Sequence, residues 1–213
     1  MKRCVIIGGA AIHDYPAVRK YLKEGDFIIC CDSGLSHCAS LAVTPDLIIG
    51  DFDSSPRPDT ELPVYAHPVM KDDTDTMLAV RHAVGKGIGR IFICCALGGR
   101  FDHAFANIQT LAFAAKSGAV AHILSEDTRI TVFPGGRFAF PRRAGWSFSC
   151  FSLSERCTGV SIKGAKFECD GSELTNHFPI GVSNVWAEDE IAISFDTGIL
   201  MVIESRLRSG EHI

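Results

Sequence analysis

No apolar run in the 213 residues approaches the roughly 18 needed to span a bilayer, so no membrane segment is expected. The opening Met1-Lys2-Arg3 with the apolar stretch Cys4 to Ile12 superficially resembles a signal peptide, but Cys4-Val5-Ile6-Ile7-Gly8-Gly9 reads as a buried first strand and its turn, and Asp14 follows at once. Basic charge is also in short supply. Against 25 acidic residues stand 21 basic ones, a net charge of −4, and nucleic-acid partners usually require a basic face. Neither a membrane nor a nucleic acid is therefore an expected partner. No C-x-x-C or Cys/His zinc spacing occurs among the nine cysteines, and an odd number cannot all pair within one chain. Cys30-Cys31 and Cys94-Cys95 sit inside apolar runs, where a free thiol acts as a small hydrophobe. A reducing, cytoplasmic setting is expected. No internal repeat, low-complexity tract, Walker loop or G-x-G-x-x-G fingerprint is present, which sets aside repeat architectures and the commonest nucleotide motifs.

What the chain does contain, at 46% hydrophobic and 22% charged residues, is an ordinary globular composition with a change of texture near residue 126. Before it, short Val/Ile/Phe-rich runs (Cys4 to Ile7, Phe27 to Cys31, Leu47 to Ile49, Ile91 to Leu97) suit parallel strands covered on both faces. Between them, Pro16 to Leu22, Leu35 to Leu41, Thr74 to Val84 and His103 to Ser117 have helical spacing. After Glu126, short strand-like runs broken by Pro and Gly predominate. The fold class expected is α/β: a doubly wound parallel-sheet domain over 1–126, followed by a smaller all-β sandwich over 127–213.

Two acid clusters stand within 25 residues of each other, Asp51 with Asp53 and then Asp72, Asp73 and Asp75. Each cluster follows a strand, at the sheet edge where open α/β folds bind ligands. Unit charges about 4 Å apart repel by roughly 4 kcal/mol near a protein surface, and a hard divalent ion, Mg²⁺ holding a polyphosphate, would relieve that repulsion. On extended backbone Asp51 and Asp53 leave the same face with Cα atoms roughly 6.6 Å apart. Taken singly, each acid also reads as a solvated turn residue or helix cap. Lys71 brings a point charge suited to phosphate, or is a surface lysine. Gly98-Gly99-Arg100-Phe101-Asp102-His103 follows a strand and opens a helix; its glycines allow close approach, free N–H groups face an anion and Arg100 can fork onto phosphate. The alternative makes Asp102 a helix cap and leaves Arg100 solvated. Asp32 stands at the same edge in a Cys31-Asp32-Ser33-Gly34 turn. Trp186 reads either as a stacking platform or as core.

Cys31-Asp32-Ser33-Gly34, Gly50-Asp51-Phe52-Asp53-Ser54, Lys71-Asp72-Asp73-Thr74-Asp75, Gly98-Gly99-Arg100-Phe101-Asp102-His103 and Gly181-Val182-Ser183-Asn184 occur in the order and approximate spacing of the thiamin pyrophosphokinase family, which the chain resembles over nearly its whole length. The resemblance implies an ATP/Mg²⁺-binding α/β domain, a thiamin-binding β-sandwich and a homodimer. It implies transfer of the pyrophosphoryl group of ATP to thiamin, with release of AMP. Asp51, Asp53 and Asp75 would then be the Mg²⁺ acids, supported by Asp72; Lys71 and Arg100 would neutralise phosphate. Asp32 and Gly34 would lie along the nucleotide, and Asp102 and His103 would belong to its phosphate loop. Ser183, Asn184 and Trp186 would meet thiamin. A pyrophosphokinase for another small alcohol, such as a hydroxymethylpterin, or a non-catalytic thiamin or nucleotide binder are the alternatives.

Overall fold

Strand β1 (Arg3–Ile7) is fully buried from Cys4 to Ile7, and such a strand has to be flanked on both edges and covered on both faces. It pairs in parallel with β2 (Phe27–Cys31) and β5 (Arg90–Cys94). In the computed structural model, which describes residues 2–52, 59–66, 73–208, 210 and 211, the chain forms two compact units, Met1–Glu126 and Asp127–Ile213. The first unit continues outward through β3 (Leu47–Gly50) to β4 (Val64–Ala66) on one side and to β6 (Val120–Leu124) on the other. Its strand order is β4-β3-β2-β1-β5-β6, every pairing parallel.

Among the described residues four α-helices cover this sheet. On one face Val5, Ile7, Cys30, Ile48 and Cys94 pack with Val18, Cys38 and Leu41, from α1 (Tyr15–Arg19), α2 (Leu35–Ser40) and its exit. Alternate residues such as Cys4 and Ile6 point the opposite way, toward α3 (Asp75–Gly85) and α4 (Phe101–Lys116). This is the doubly wound arrangement expected. Thr74 is the N-cap of α3, its hydroxyl accepting from the Met77 N–H at 3.2 Å. The short α1 ends at Arg19, before the expected Leu22.

The sequence bounds neither β6 nor β4, the strand that precedes the second acid cluster. Three residues, two of them exposed, give β4 no periodic signal. In β6, Val120–Leu124, His122 interrupts the apolar run, although it is buried and stacked on Phe92 at 4.8 Å.

The second unit contains β7 (Thr128–Phe133), β8 (Gly136–Pro141), β9 (Trp146–Ser152), β10 (Arg156–Lys163), β11 (Cys169–Thr175), β12 (Glu190–Phe195) and β13 (Leu200–Arg206). Strands β7-β13-β9 and β11-β10-β12-β8 run in two antiparallel groups. Aromatic contacts fill its interior: Phe133 lies 3.8 Å from Phe138 and meets Phe140 edge-on at 5.8 Å. None of the nine cysteines is in a disulfide, and all but Cys169 are buried.

One half-buried titratable group, His82, gives this fold a pH dependence. His82, on α3, stacks on Phe27 at 6.2 Å, and its Nε2 is buried without a hydrogen-bond partner. Burial, and then the charge of Lys86, hold its pKa below the ordinary 6.5. The unfolded chain consequently binds more protons in that window, so stability is full above 6.5 and is lost as pH falls through the folded value. His82→Phe, which keeps a ring against Phe27 and cannot titrate, is expected to flatten the fall of Tm as the pH drops below about 6.5. A wild-type slope in that variant would remove His82 as its source.

Candidate functional site

Loops at the carboxyl ends of β1, β2, β3 and β5 enclose a cleft of about 600 Å³. Close packing of backbone on backbone shapes it. The Gly8 N–H donates to the Cys94 carbonyl and the Ala10 N–H to that of Cys95, both at 2.9 Å. A Cβ on Gly8 would stand 2.6 Å from the Cys95 oxygen, one on Gly9 would overlap the Ser33 hydroxyl, and one on Gly34 would overlap the Ile7 carbonyl. Side chains are thus excluded where the β1 and β2 loops touch. Three non-glycine residues adopt left-handed backbone at the ends of these strands: Asp32 (φ 36°), Phe52 (φ 55°) and Cys95 (φ 54°). Such conformations cost of order 1–3 kcal/mol each and gather at functional sites.

Asp32, Asp51, Asp75, Arg100 and His103 all line this one cleft. Asp32 and Gly50 adjoin: a Cβ on Gly50 would lie 3.3 Å from the Asp32 Cβ. Asp75 opens α3 beside Thr74 and Thr76, and Arg100 and His103 open α4. Two helix N-termini, of 11 and 16 residues, therefore present N–H groups and positive dipole ends to the same space. Gly34 serves as packing behind the Asp32 turn.

Arg100 is gripped by Asp102 through two contacts, Nε to Oδ1 at 3.2 Å and Nη2 to Oδ2 at 2.6 Å. The Arg100 hydrogen bond holds the Asp102 carboxyl below the usual carboxylate range, and Asp102 in turn raises the guanidinium. Both side chains are mostly exposed, so the pair is open to exchange for a phosphate. Asp102 is not the cap of α4: Arg100 holds that position, without a side-chain cap. Burial pushes the Cys95 thiol in the cleft wall up to about 12, which leaves it protonated and a poor nucleophile.

Asp53, Lys71 and Asp72 lie outside the described residues. Among the described residues no group of three His, Cys, Asp or Glu side chains is arranged to hold a metal ion. The carboxylates of Asp32, Asp51 and Asp75 are nonetheless hard oxygen donors on one cleft. That donor set fits a Mg²⁺ that takes one or two protein ligands and completes its shell with phosphate oxygens and water.

The second unit carries the other three residues of the sequence reading. Ser183 is exposed, with φ 60° and its N–H on the Ser149 hydroxyl at 3.1 Å. Asn184 is buried and occupied structurally: Oδ1 accepts from the Phe167 and Val185 N–H groups at 3.0 and 2.9 Å, and Nδ2 donates to the Phe167 carbonyl at 2.7 Å. Trp186 is core. It is 5% exposed, its Nε1 donates to the Phe140 carbonyl at 3.0 Å and its ring meets Phe148 edge-on at 5.1 Å. The stacking role considered for it is corrected accordingly, because no ring face is left for a ligand.

Asn107, absent from the sequence reading, also lines the cleft, its Nδ2 donating to the Ala96 carbonyl at 2.9 Å. The available signal was its position four residues after His103, on the same helix face. Thr74, within the second acid motif, and Thr76 line the cleft as well.

A doubly wound sheet with an anion-receptive cleft at its carboxyl edge, joined to an antiparallel β unit, defines an α/β enzyme of the kind that handles phosphorylated ligands. Residues 18–122 match the model of the thiamin pyrophosphokinase catalytic domain and residues 139–200 that of the thiamin pyrophosphokinase vitamin B1 binding domain. The chain belongs to the thiamin pyrophosphokinase family. It is 27% identical over 212 residues to thiamine pyrophosphokinase of Bacillus subtilis (strain 168), covering 96% of this chain and 99% of that one. The crystal structure of the Bacillus subtilis protein superposes with a TM-score of 0.86 over the same shares of the two chains. That of thiamin pyrophosphokinase from Geobacillus thermodenitrificans gives 0.84 at 26% identity, covering 97% and 99%. Yeast thiamin pyrophosphokinase, at 14% identity and a TM-score of 0.78 over 97% and 86%, shares the fold.

Proposed function

We propose that this enzyme transfers the pyrophosphoryl group of ATP to the hydroxyl oxygen of thiamin, giving thiamin diphosphate and AMP. The observation that carries the reading is the meeting of Asp32, Asp51, Asp75, Arg100 and His103 on one cleft in a chain of this family. In this reading the thiamin oxygen bonds to the β-phosphorus as that atom's bond to the oxygen bridging to the α-phosphorus breaks. AMP leaves with the bridging oxygen, and the hydroxyl proton passes to a carboxylate, for which Asp75 is the candidate. Positioning and charge neutralisation supply most of the acceleration in such transfers.

Asp51 and Asp75, together with Asp53, would hold Mg²⁺, whose contribution is to neutralise the polyphosphate and fix its geometry, with Asp72 in support. Asp32 and the Gly34 turn would run along the nucleotide. Arg100 would leave Asp102 for the migrating group, with Lys71 and His103 contributing further donors. Ser183 would contact thiamin from the second unit, and Asn184 would act by shaping the turn that presents it. Exposed Phe167, Phe178, Ile180 and Val182 in that unit support a homodimer, since apolar patches of this kind mark association surfaces. The free thiols support a cytoplasmic location.

AMP formation from ATP with and without added thiamin tests the reading: thiamin-dependent AMP is expected, and AMP release indifferent to thiamin would overturn it. Arg100→Gln, which keeps hydrogen-bonding capacity without the charge, is expected to lower kcat/KM by about 10²-fold, as measured by steady-state AMP release.

A further inference from the structure

The β1 loop that walls the cleft is held at two places. Its first half is tied to the end of β5 by the Gly8 and Ala10 N–H groups. Its second half is tied by one distant side chain: Oε2 of Glu126 accepts from both the His13 N–H, at 3.1 Å, and the Asp14 N–H, at 2.6 Å. Asp14 in turn caps α1 through its Oδ1 and the Ala17 N–H at 2.9 Å. Glu126 follows β6 by two residues and closes the first unit of the chain. It does not line the cleft, whereas Ala10 and Ala11, next to the tethered residues, do.

We propose that Glu126 is a positioning residue for the nucleotide, fixing the Ala10–Asp14 segment, whose Ala10 and Ala11 wall the cleft in which ATP would be held; the proposal rests on the ATP-dependent reading above. A carboxylate oxygen accepting two backbone N–H bonds is stronger than a neutral acceptor. Loss of both would let the loop beyond Ala10 move, with Asp14 held only by its cap. The reacting groups, held by Asp51, Asp75 and Arg100, would keep their places. The effect therefore falls on ATP binding.

Steady-state kinetics with ATP and thiamin varied separately, together with hydrogen exchange at the His13 and Asp14 amides, test this. Glu126→Ala is expected to raise KM for ATP about 5- to 10-fold, with kcat within about twofold and KM for thiamin unchanged. The two amides should exchange faster than in wild type. Glu126→Gln, whose amide oxygen accepts the same two bonds, should recover most of the ATP affinity. An unchanged KM for ATP in a folded Glu126→Ala, or a fall in kcat with both KM values raised together, would overturn the proposal. If Glu126→Ala does not fold, exchange at the two wild-type amides decides: slow exchange supports the tether and fast exchange refutes it. Wild-type protein that makes no AMP from ATP and thiamin would sink the catalytic reading alone. The tether would then be judged by exchange and by titration with a non-hydrolysable ATP analogue.

Discussion

Asp51→Ala is expected to lower turnover by about 10³-fold, and Asp75→Ala to do the same, with both variants folded. The expectation rests on placement. Asp51 directly follows β3 and Asp75 begins α3, yet both line the cleft, so truncating either removes negative charge from the face where polyphosphate and Mg²⁺ would meet. Neither belongs to the buried core. Asp75 also sits in the first turn of its helix, where a carboxylate contributes only about 0.3–1 kcal/mol through the helix dipole. Stability and turnover should thus separate: Tm close to wild type beside a collapsed kcat. Asp75→Asn, with the same size and no charge, distinguishes charge from shape and should be nearly as inactive as the alanine variant. Thermal melts beside thiamin-dependent AMP release decide the matter, and near-normal turnover in a folded variant would take that residue out of the mechanism.

Gly34→Ala is expected to damage both stability and nucleotide binding. The added methyl would overlap the Ile7 carbonyl oxygen and stand 2.8 Å from that of Gly8. These are backbone atoms of a buried strand and its turn, with no flexible end to yield. Overpacking of this kind costs about 2 kcal/mol, or roughly 4 to 8 °C in Tm for a chain of this size. Relief by displacement would push the Asp32 turn into the cleft, raising KM for ATP. Gly85→Ala is the control. Nothing lies within 4 Å of its added methyl, and at the end of α3 it should add about 0.5–1 kcal/mol of stability by limiting the unfolded chain. Equal melting temperatures for the Gly34 and Gly85 variants would refute the packing argument.

The long periodic elements were readable in the residues. Buried parallel strands have continuous apolar runs and α4 has apolar residues at helical intervals, so each carried its own local signal. Strands β4 and β6 did not. One is three residues long and mostly exposed, and the other has a buried histidine whose partner, Phe92, lies 30 positions away. Trp186 shows the same limit at a candidate site. Its composition allowed a ligand platform or core, and only the Phe140 carbonyl, 46 residues distant, decided for core. Nothing local distinguishes Glu126 from any surface acid, since its two partners are 112 and 113 positions away.

Residue type and chain order alone pointed to the class of chemistry: acids after strands, glycines before a helix and thiols in apolar runs. These are properties of neighbours along the chain. Which of those groups share a cleft, which are consumed in packing, and which hold a loop from afar were set by the folded chain. Those outcomes depend on contacts between segments far apart in sequence, whose geometry is fixed only when the parallel sheet brings four strand ends to one edge.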